Sequence, residues 1–285
     1  MKKQLKEARN NLKILNIKLK SFYNIGSLPE FYIIGAAKSG TSSLYTALTQ
    51  HPGIINRIDK EIHFFDYPQK RNKGTVYYKA HFLPDFQKKY LSKGLGYAPL
   101  EGDATPFMHH FWIPKWLFEV NPHAKLIAIL RNPIDRAFSG YYHNKNRGRE
   151  TLSFEEAIAL ETDRVKEESE KLKIDPQASI YNYSTFSYLG RGRYYEQLTR
   201  WLQFFPKDQL CVISFEEFVN NQTETCSQIF NFLGLPDYQT RKSNKTNLGN
   251  YKESMNCDLK SKLKEYYAIH NQKLFRLINQ DFNWY

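Results

Sequence analysis

The sequence predicts an α/β fold: a central parallel sheet with helices on both faces and a P-loop-like phosphate-binding loop. Two observations predict it. Three short apolar runs, residues 31–34, 126–130 and 210–213, show no polar alternation, as strands buried on both faces do, and they alternate with segments of helical apolar spacing. A small-residue loop follows the first run and opens a helix. With 285 residues, 41% of them hydrophobic, there is core material for one large domain. No apolar run approaches the ~20 residues that a bilayer span needs, so no transmembrane segment is expected. The three cysteines, Cys211, Cys226 and Cys257, exclude a disulfide scaffold and a zinc site of cysteine alone.

Residues 1–25 are set apart as a basic amphipathic helix, and 26–285 read as a single domain without repeat or linker. In the helix, Leu5, Ala8, Leu12, Leu15, Leu19 and Phe22 recur at alternating three and four residues, giving a narrow apolar seam. No uninterrupted apolar stretch marks it as a signal peptide. Three fates are open for it: packing on the domain, pairing with a second copy as a short coiled coil in a homodimer, or attachment to an anionic membrane. Of the net charge of +12, residues 1–20 supply +6, so the remainder is only as basic as many anion-binding enzymes. No recognition helix, zinc finger or aromatic RNA-binding signature accompanies the charge, and no nucleic-acid partner is expected.

After the first strand and its loop, Leu44, Ala47 and Leu48 form a helical face that stops near His51-Pro52-Gly53. Trp112, Ile113, Trp116, Leu117 and Val120 make a second stripe. The strand at 126–130 is broken by Asn132-Pro133, and Ile134, Ala137, Phe138, Tyr141 and Tyr142 resume at helical spacing. Residues 161–175 are charged and read as a solvated helix end and loop. Tyr194, Leu198, Trp201, Leu202 and Phe205 mark a further helix before the strand at 210–213. Leu259, Leu263, Tyr266, His270, Leu274 and Leu277 mark the last.

The loop at 35–42 carries the chemistry. A strand, a glycine-containing loop and a helix N-terminus form an anion cradle of backbone N–H groups. Gly35 and Gly40 have P-loop spacing, but Thr41 occupies the lysine position and the lysine sits inside the loop as Lys38. The apolar strands end in Arg131 and Ser214 rather than in a magnesium-binding aspartate. The loop therefore suits a phosphate-like group without the metal machinery of an ATPase.

FYIIGAAKSGTSSL at 31–44 resembles the 5′-phosphosulfate loop of sulfotransferases that use 3′-phosphoadenosine 5′-phosphosulfate (PAPS). LIAILRNPIDRAFSGYY at 126–142 resembles their 3′-phosphate segment, and KEIHFFD at 60–66 resembles the catalytic segment of the heparan-sulfate type. GRYYEQLTRWLQFFP and NLGNYKESM resemble further family blocks in the family's order. Two cofactor motifs about ninety residues apart, with a catalytic segment between them, are far more specific than one glycine loop.

The resemblance implies a bacterial-type, PAPS-dependent sulfotransferase with roles residue by residue. Lys38 stabilises the leaving group, and Ser39, Gly40, Thr41 and Ser42 hold the 5′-phosphate. Arg131 and Ser139 take the 3′-phosphate, a forked guanidinium suiting a bidentate contact. Asn247, Gly249, Asn250 and Tyr251 form a lid over the 3′-phosphate and adenine. Glu61 is the base, and apolar Ile62, Phe64 and Phe65 beside it suggest desolvation that makes it more basic. His63 is the rival base, with Asp66 to orient it. One departure stands out: EGDATPF puts Ala104 where the glycan enzymes carry a lysine, leaving Lys79 or Arg191 as substitutes.

Sulfuryl transfer moves a group of lower charge than phosphoryl, so fixed cations and N–H donors suffice and no metal is expected. His109 and His110 lack a third ligand at useful spacing, and the aromatic clusters around Tyr77 and Phe107 read as core or as a stacking surface. The expected acceptor is a carbohydrate hydroxyl or amine, with a small natural product as the alternative, and the expected location is cytoplasmic. An ATP-dependent phosphotransferase and a silent polyanion-binding module are the competing classes.

Overall fold

The computed structural model describes the chain except Met1, Ile58, Pro176, residues 243–254 and Tyr285. Four parallel strands, β1 (Phe31–Gly35), β2 (Gly102–Asp103), β3 (Lys125–Leu130) and β4 (Leu210–Ser214), form one sheet in the order β2-β1-β3-β4. Three of these are the apolar runs of the sequence; β2 is two residues long, too short to register as a run. Strand periodicity of two explains the lack of polar alternation. Tyr32, Ile34, Leu126, Ala128 and Leu130 face one helical layer, while Phe31, Ile33, Ile127 and Ile129 face the other. Against the first face pack the helices Ile113–Val120, Tyr194–Trp201 and Cys257–Ile278, through Leu117, Trp201 and Leu274 among others. Against the second pack Thr41–Leu48 and Gln222–Leu233, through Leu44, Leu48, Ile229 and Phe230. Each such side chain, fully buried, contributes about 1.5–3 kcal/mol.

Several elements differ from expectation. The charged stretch is a full helix, Glu161–Ile174, with Leu172 buried, and the buried Glu161 carboxylate accepts from the N–H groups of Leu189 and Gly190 at 2.5 and 2.7 Å. An acid at a helix start is buried there because two backbone donors satisfy it. The last helix buries Leu263, Tyr267, Asn271 and Leu274, so Tyr266 and His270 stand one residue off the packed stripe. The N-terminal helix α1 (Lys2–Phe22) turns its seam away from the domain: Leu12, Leu15, Leu19 and Phe22 are 51–81% exposed. It packs instead through buried Ile17, with Lys13 on Asp59 and Lys20 on the Phe82 carbonyl. Among the described residues no helix is long and apolar enough to cross a membrane.

The chain passes from β1 to β2 on one side, then crosses to β3 on the other side of β1 and on to β4, so the connections from β1 and β3 lead in opposite directions. A doubly wound parallel sheet opens a crevice beyond the strand ends at such a switch point. Into that crevice run residues 36–40 after β1, Arg131 after β3 and Phe215 after β4.

Candidate active site

The crevice is a cleft of about 1080 Å³, large enough for a nucleotide and part of a second substrate. Its wall carries six guanidinium or ammonium groups (Lys38, Arg131, Arg136, Arg147, Arg149 and Arg191) against the carboxylates of Glu61 and Asp66. Such an excess of fixed positive charge selects anions.

One half is built on the sheet. Gly40 has φ of 85°, and a Cβ there would meet the Phe215 ring at 2.7 Å, so the loop requires glycine at that point. Helix α2 (Thr41–Leu48) starts immediately after, and Gly40, Thr41 and Ser42 all line the cleft. Its first-turn N–H groups have no partner within the helix and are available to an anion. Ser39 does not reach the wall: it is fully buried and its N–H donates to the Ala36 carbonyl at 3.1 Å. Lys38, at φ 72°, projects into the cleft with Nζ 3.1 Å from Nδ1 of His143. Burial and the neighbouring Arg147, Arg131 and Arg136 lower the Lys38 pKa. Burial and Lys38 push His143 down to about 4, leaving it a neutral acceptor for the ammonium.

Arg131 follows β3 directly, and Asn132 caps the next helix, Pro133–Lys145, by accepting from the Ile134 N–H at 3.0 Å. The Arg131 guanidinium lies 5.1 Å from the centre of the Phe215 ring, and among the described residues it makes no ion pair with Asp135. Ser139, two turns along that helix, lines the same wall. Sequence reading missed its neighbours Arg136 and His143, although they flank Ser139 at helical spacing of three and four.

The other half is built on loops. Glu61, His63 and Asp66 line the cleft in a chain: Glu61 Oε2 is 3.5 Å from His63 Nε2, and His63 Nδ1 is 2.7 Å from Asp66 Oδ2. The imidazole stacks on Tyr67 at 4.7 Å, and the backbone N–H of His63 donates to Thr105 Oγ1 at 3.2 Å. On the far side, Lys60 Nζ is 3.0 Å from Glu61 Oε1. The expectation of a more basic Glu61 is reversed. Hydrogen bonding to His63 holds its carboxyl down to about 2, with Lys60 adding to this and partial burial opposing it. Ile62, Phe64 and Phe65 cannot desolvate it, because they point into the core. Burial disfavours charge on His63, but Asp66 and Glu61 outweigh it and raise the pKa to about 9.

Of the two substitutes for a lysine at position 104, Arg191 lines the cleft and Lys79 does not. Burial and Arg136 lower the Arg191 pKa to about 10. β2 does end in an aspartate, which the sequence reading did not anticipate. Asp103 is fully committed, however, accepting from Tyr78 Oη at 2.9 Å and from Thr105 Oγ1 at 2.5 Å, and it is not on the wall. Tyr78, Phe82 and Phe107 are core, while the buried, adjacent His109 and His110 reach the cleft. Burial drives the pKa of His109 well down and that of His110 to about 3, so both rings are neutral. Asn247, Gly249, Asn250 and Tyr251 lie outside the described residues.

The chain has relatives among known proteins. The family model of the sulfotransferase domain matches residues 28–284, and the chain belongs to that family. It is 31% identical to a sulfotransferase from Alicyclobacillus acidocaldarius of known crystal structure, with a TM-score of 0.68 over 90% of this chain and 99% of that one. It is 28% identical to the membrane-associated sulfotransferase kil1 of Dictyostelium discoideum over 90% of its own length, and spans 66% of that relative. It is 24% identical to human heparan sulfate glucosamine 3-O-sulfotransferase 5 over 91% of its length, spanning 75% of that enzyme. It spans 26% of the bifunctional heparan sulfate N-deacetylase/N-sulfotransferase of Drosophila melanogaster, at 26% identity.

Proposed function

We propose that the protein transfers the sulfuryl group of PAPS to a hydroxyl or amine of a carbohydrate acceptor. PAPS brings a sulfuryl group activated on a phosphate leaving group. The observation that carries the reading is convergence. Lys38 with Gly40, Thr41 and Ser42, the Arg131–Ser139 pair and Glu61 sit far apart in sequence yet line one cleft. Two anion subsites on one wall suit a nucleotide bearing both a 5′ and a 3′ phosphate.

In this reading Thr41 and Ser42 hold the 5′-phosphate through first-turn N–H groups and hydroxyls. Lys38, which among the described residues pairs with no carboxylate and is held by His143, offsets charge that develops on the leaving oxygen. Arg131 and Ser139 bind the 3′-phosphate. With six cations on the wall, the transfer is proposed without a metal ion.

Glu61 takes the acceptor's proton. His63 is the weaker candidate because, at about 9, its pKa keeps it protonated at neutral pH. A carboxylate of low basicity serves if proton loss follows bond formation to sulfur, when the acceptor proton has become acidic. His63 then orients Glu61 rather than replacing it.

The carbohydrate acceptor is favoured by the names of the human and Drosophila relatives; a small natural product is the alternative. Residues 26–285 form the catalytic unit in this reading. It keeps the enzyme cytoplasmic and lets α1 pair with a second copy through its exposed seam; fractionation and light scattering test the two. A screen of desulfated heparan sulfate and small alcohols with labelled PAPS tests the activity. Label transfer to the polysaccharide supports the acceptor class, and transfer to neither class overturns the reading.

A further inference from the structure

Lys60 stands outside the cleft wall, yet it touches both halves of it. Its Nζ is 3.0 Å from Glu61 Oε1 and hydrogen-bonds to Oγ of Ser42, in the first turn of α2. Glu61 and Ser42 are both wall residues, whereas Lys60 is not. We propose that Lys60 is a positioning residue for the transfer, a strut that fixes the Glu61 carboxylate relative to the anion cradle at the start of α2. The inference rests on the proposed donor and base, and it gives a role to Lys60, the first residue of KEIHFFD, to which the motif reading assigned none.

Three features support the assignment. The Lys60 carbonyl accepts from the Ala104 N–H at 2.6 Å, which anchors the stem of the strut to the segment that follows β2. Ala104 is itself fully buried, packed in the core with Phe31 and Ile54, so position 104 offers no charge to the cleft and Lys60 is the cation beside it. Finally, the two Glu61 oxygens are held by different groups, Oε1 by Lys60 and Oε2 by His63. A carboxylate gripped at both oxygens cannot rotate, whereas one gripped by His63 alone can. Misplacement of a reacting group by about 1 Å costs on the order of a hundredfold in rate.

The strut predicts that filling the anion cradle is felt at Glu61. The test uses the full chain with glutamate carboxyl carbons labelled with 13C, the Glu61 signal being assigned by its loss in Glu61→Gln. Adenosine 3′,5′-bisphosphate is titrated into wild type, Lys60→Met and Lys60→Arg. In wild type, bound bisphosphate shifts the Glu61 signal. In Lys60→Met the bisphosphate binds within about threefold of wild type, but the Glu61 response falls by more than half. The Glu61 titration also moves up towards the ordinary carboxylate range, because a cation that opposed protonation is gone. Lys60→Arg retains the response. A Lys60→Met protein whose Glu61 signal responds and titrates as in wild type overturns the strut while leaving the donor reading intact. Failure of wild type to bind the bisphosphate overturns both. A merely structural lysine would lower the melting temperature without uncoupling Glu61 from the bisphosphate.

Discussion

The two halves of the cleft are built differently. The half proposed to hold the donor hangs on the sheet: β1 delivers residues 38–42 and β3 delivers Arg131, with the helix Pro133–Lys145 carrying Ser139. The half proposed to face the acceptor hangs on loops: Glu61, His63 and Asp66 belong to a segment without regular structure, and their positions come from contacts with Lys60, Tyr67 and Thr105. A backbone cradle is fixed by strand register and tolerates the loss of one side chain. A side-chain chain such as Lys60–Glu61–His63–Asp66 depends on every link. Substitutions on the loop side should therefore act on rate and pH behaviour, and those on the sheet side on the affinity for anions.

The sharpest way to break that contrast is Glu61→Gln. Transfer is expected to fall by about a thousandfold, within the range for a lost general base, while calorimetry gives bisphosphate affinity near wild type. Transfer that survives in this variant assigns the base to His63. Next in size is Lys38→Ala, expected to lower kcat by about a hundredfold in a labelled-PAPS assay, as for the loss of a transition-state charge donor. Turnover within threefold of wild type removes Lys38 from the chemistry.

Arg131→Ala tests the sheet side. A charged hydrogen bond contributes about 1.5–3 kcal/mol, so adenosine 3′,5′-bisphosphate should bind roughly tenfold or more weakly, and adenosine 5′-phosphate almost unchanged. Equal weakening of both ligands moves Arg131 away from the 3′-phosphate.

The smallest effect is on stability. His63 has a folded pKa of about 9 against an ordinary 6.5. Its contacts with Asp66 and Glu61 therefore contribute fully below about pH 6.5, and that contribution is lost as pH rises through about 9. Thermal unfolding of wild type should lose more stability between those values than that of His63→Asn. Parallel curves would show that the imidazolium holds nothing in the fold.

The contrast also explains what was legible in the sequence. β1, β3 and β4 are apolar on both faces, and the Gly40 turn is local, so the sheet and its cradle are written in consecutive residues. The direction of the Glu61 shift is not. Ile62, Phe64 and Phe65 are neighbours in sequence but turn into the core, and what surrounds the carboxylate is Lys60 on one side and His63 on the other. Alternate side-chain direction at a loop is decided by packing, which a one-dimensional pattern does not carry. The packing side of α1 was not legible for a similar reason: heptad spacing identifies an apolar face but not what lies against it, and the domain packs on Ile17 at the opposite side. Arg136 and His143 could have been read, since they share helical spacing with Ser139.

In the proposed function, the sheet side of the cleft holds two separate phosphates without metal. Calorimetric titration of the full chain with adenosine 3′,5′-bisphosphate, alongside adenosine 5′-phosphate and ATP with magnesium, tests it most directly. Micromolar binding of the bisphosphate in the absence of metal is expected, with the other two at least about tenfold weaker, a difference of roughly 1.4 kcal/mol. Tighter binding of ATP with magnesium would contradict it and turn the cleft into that of a phosphotransferase.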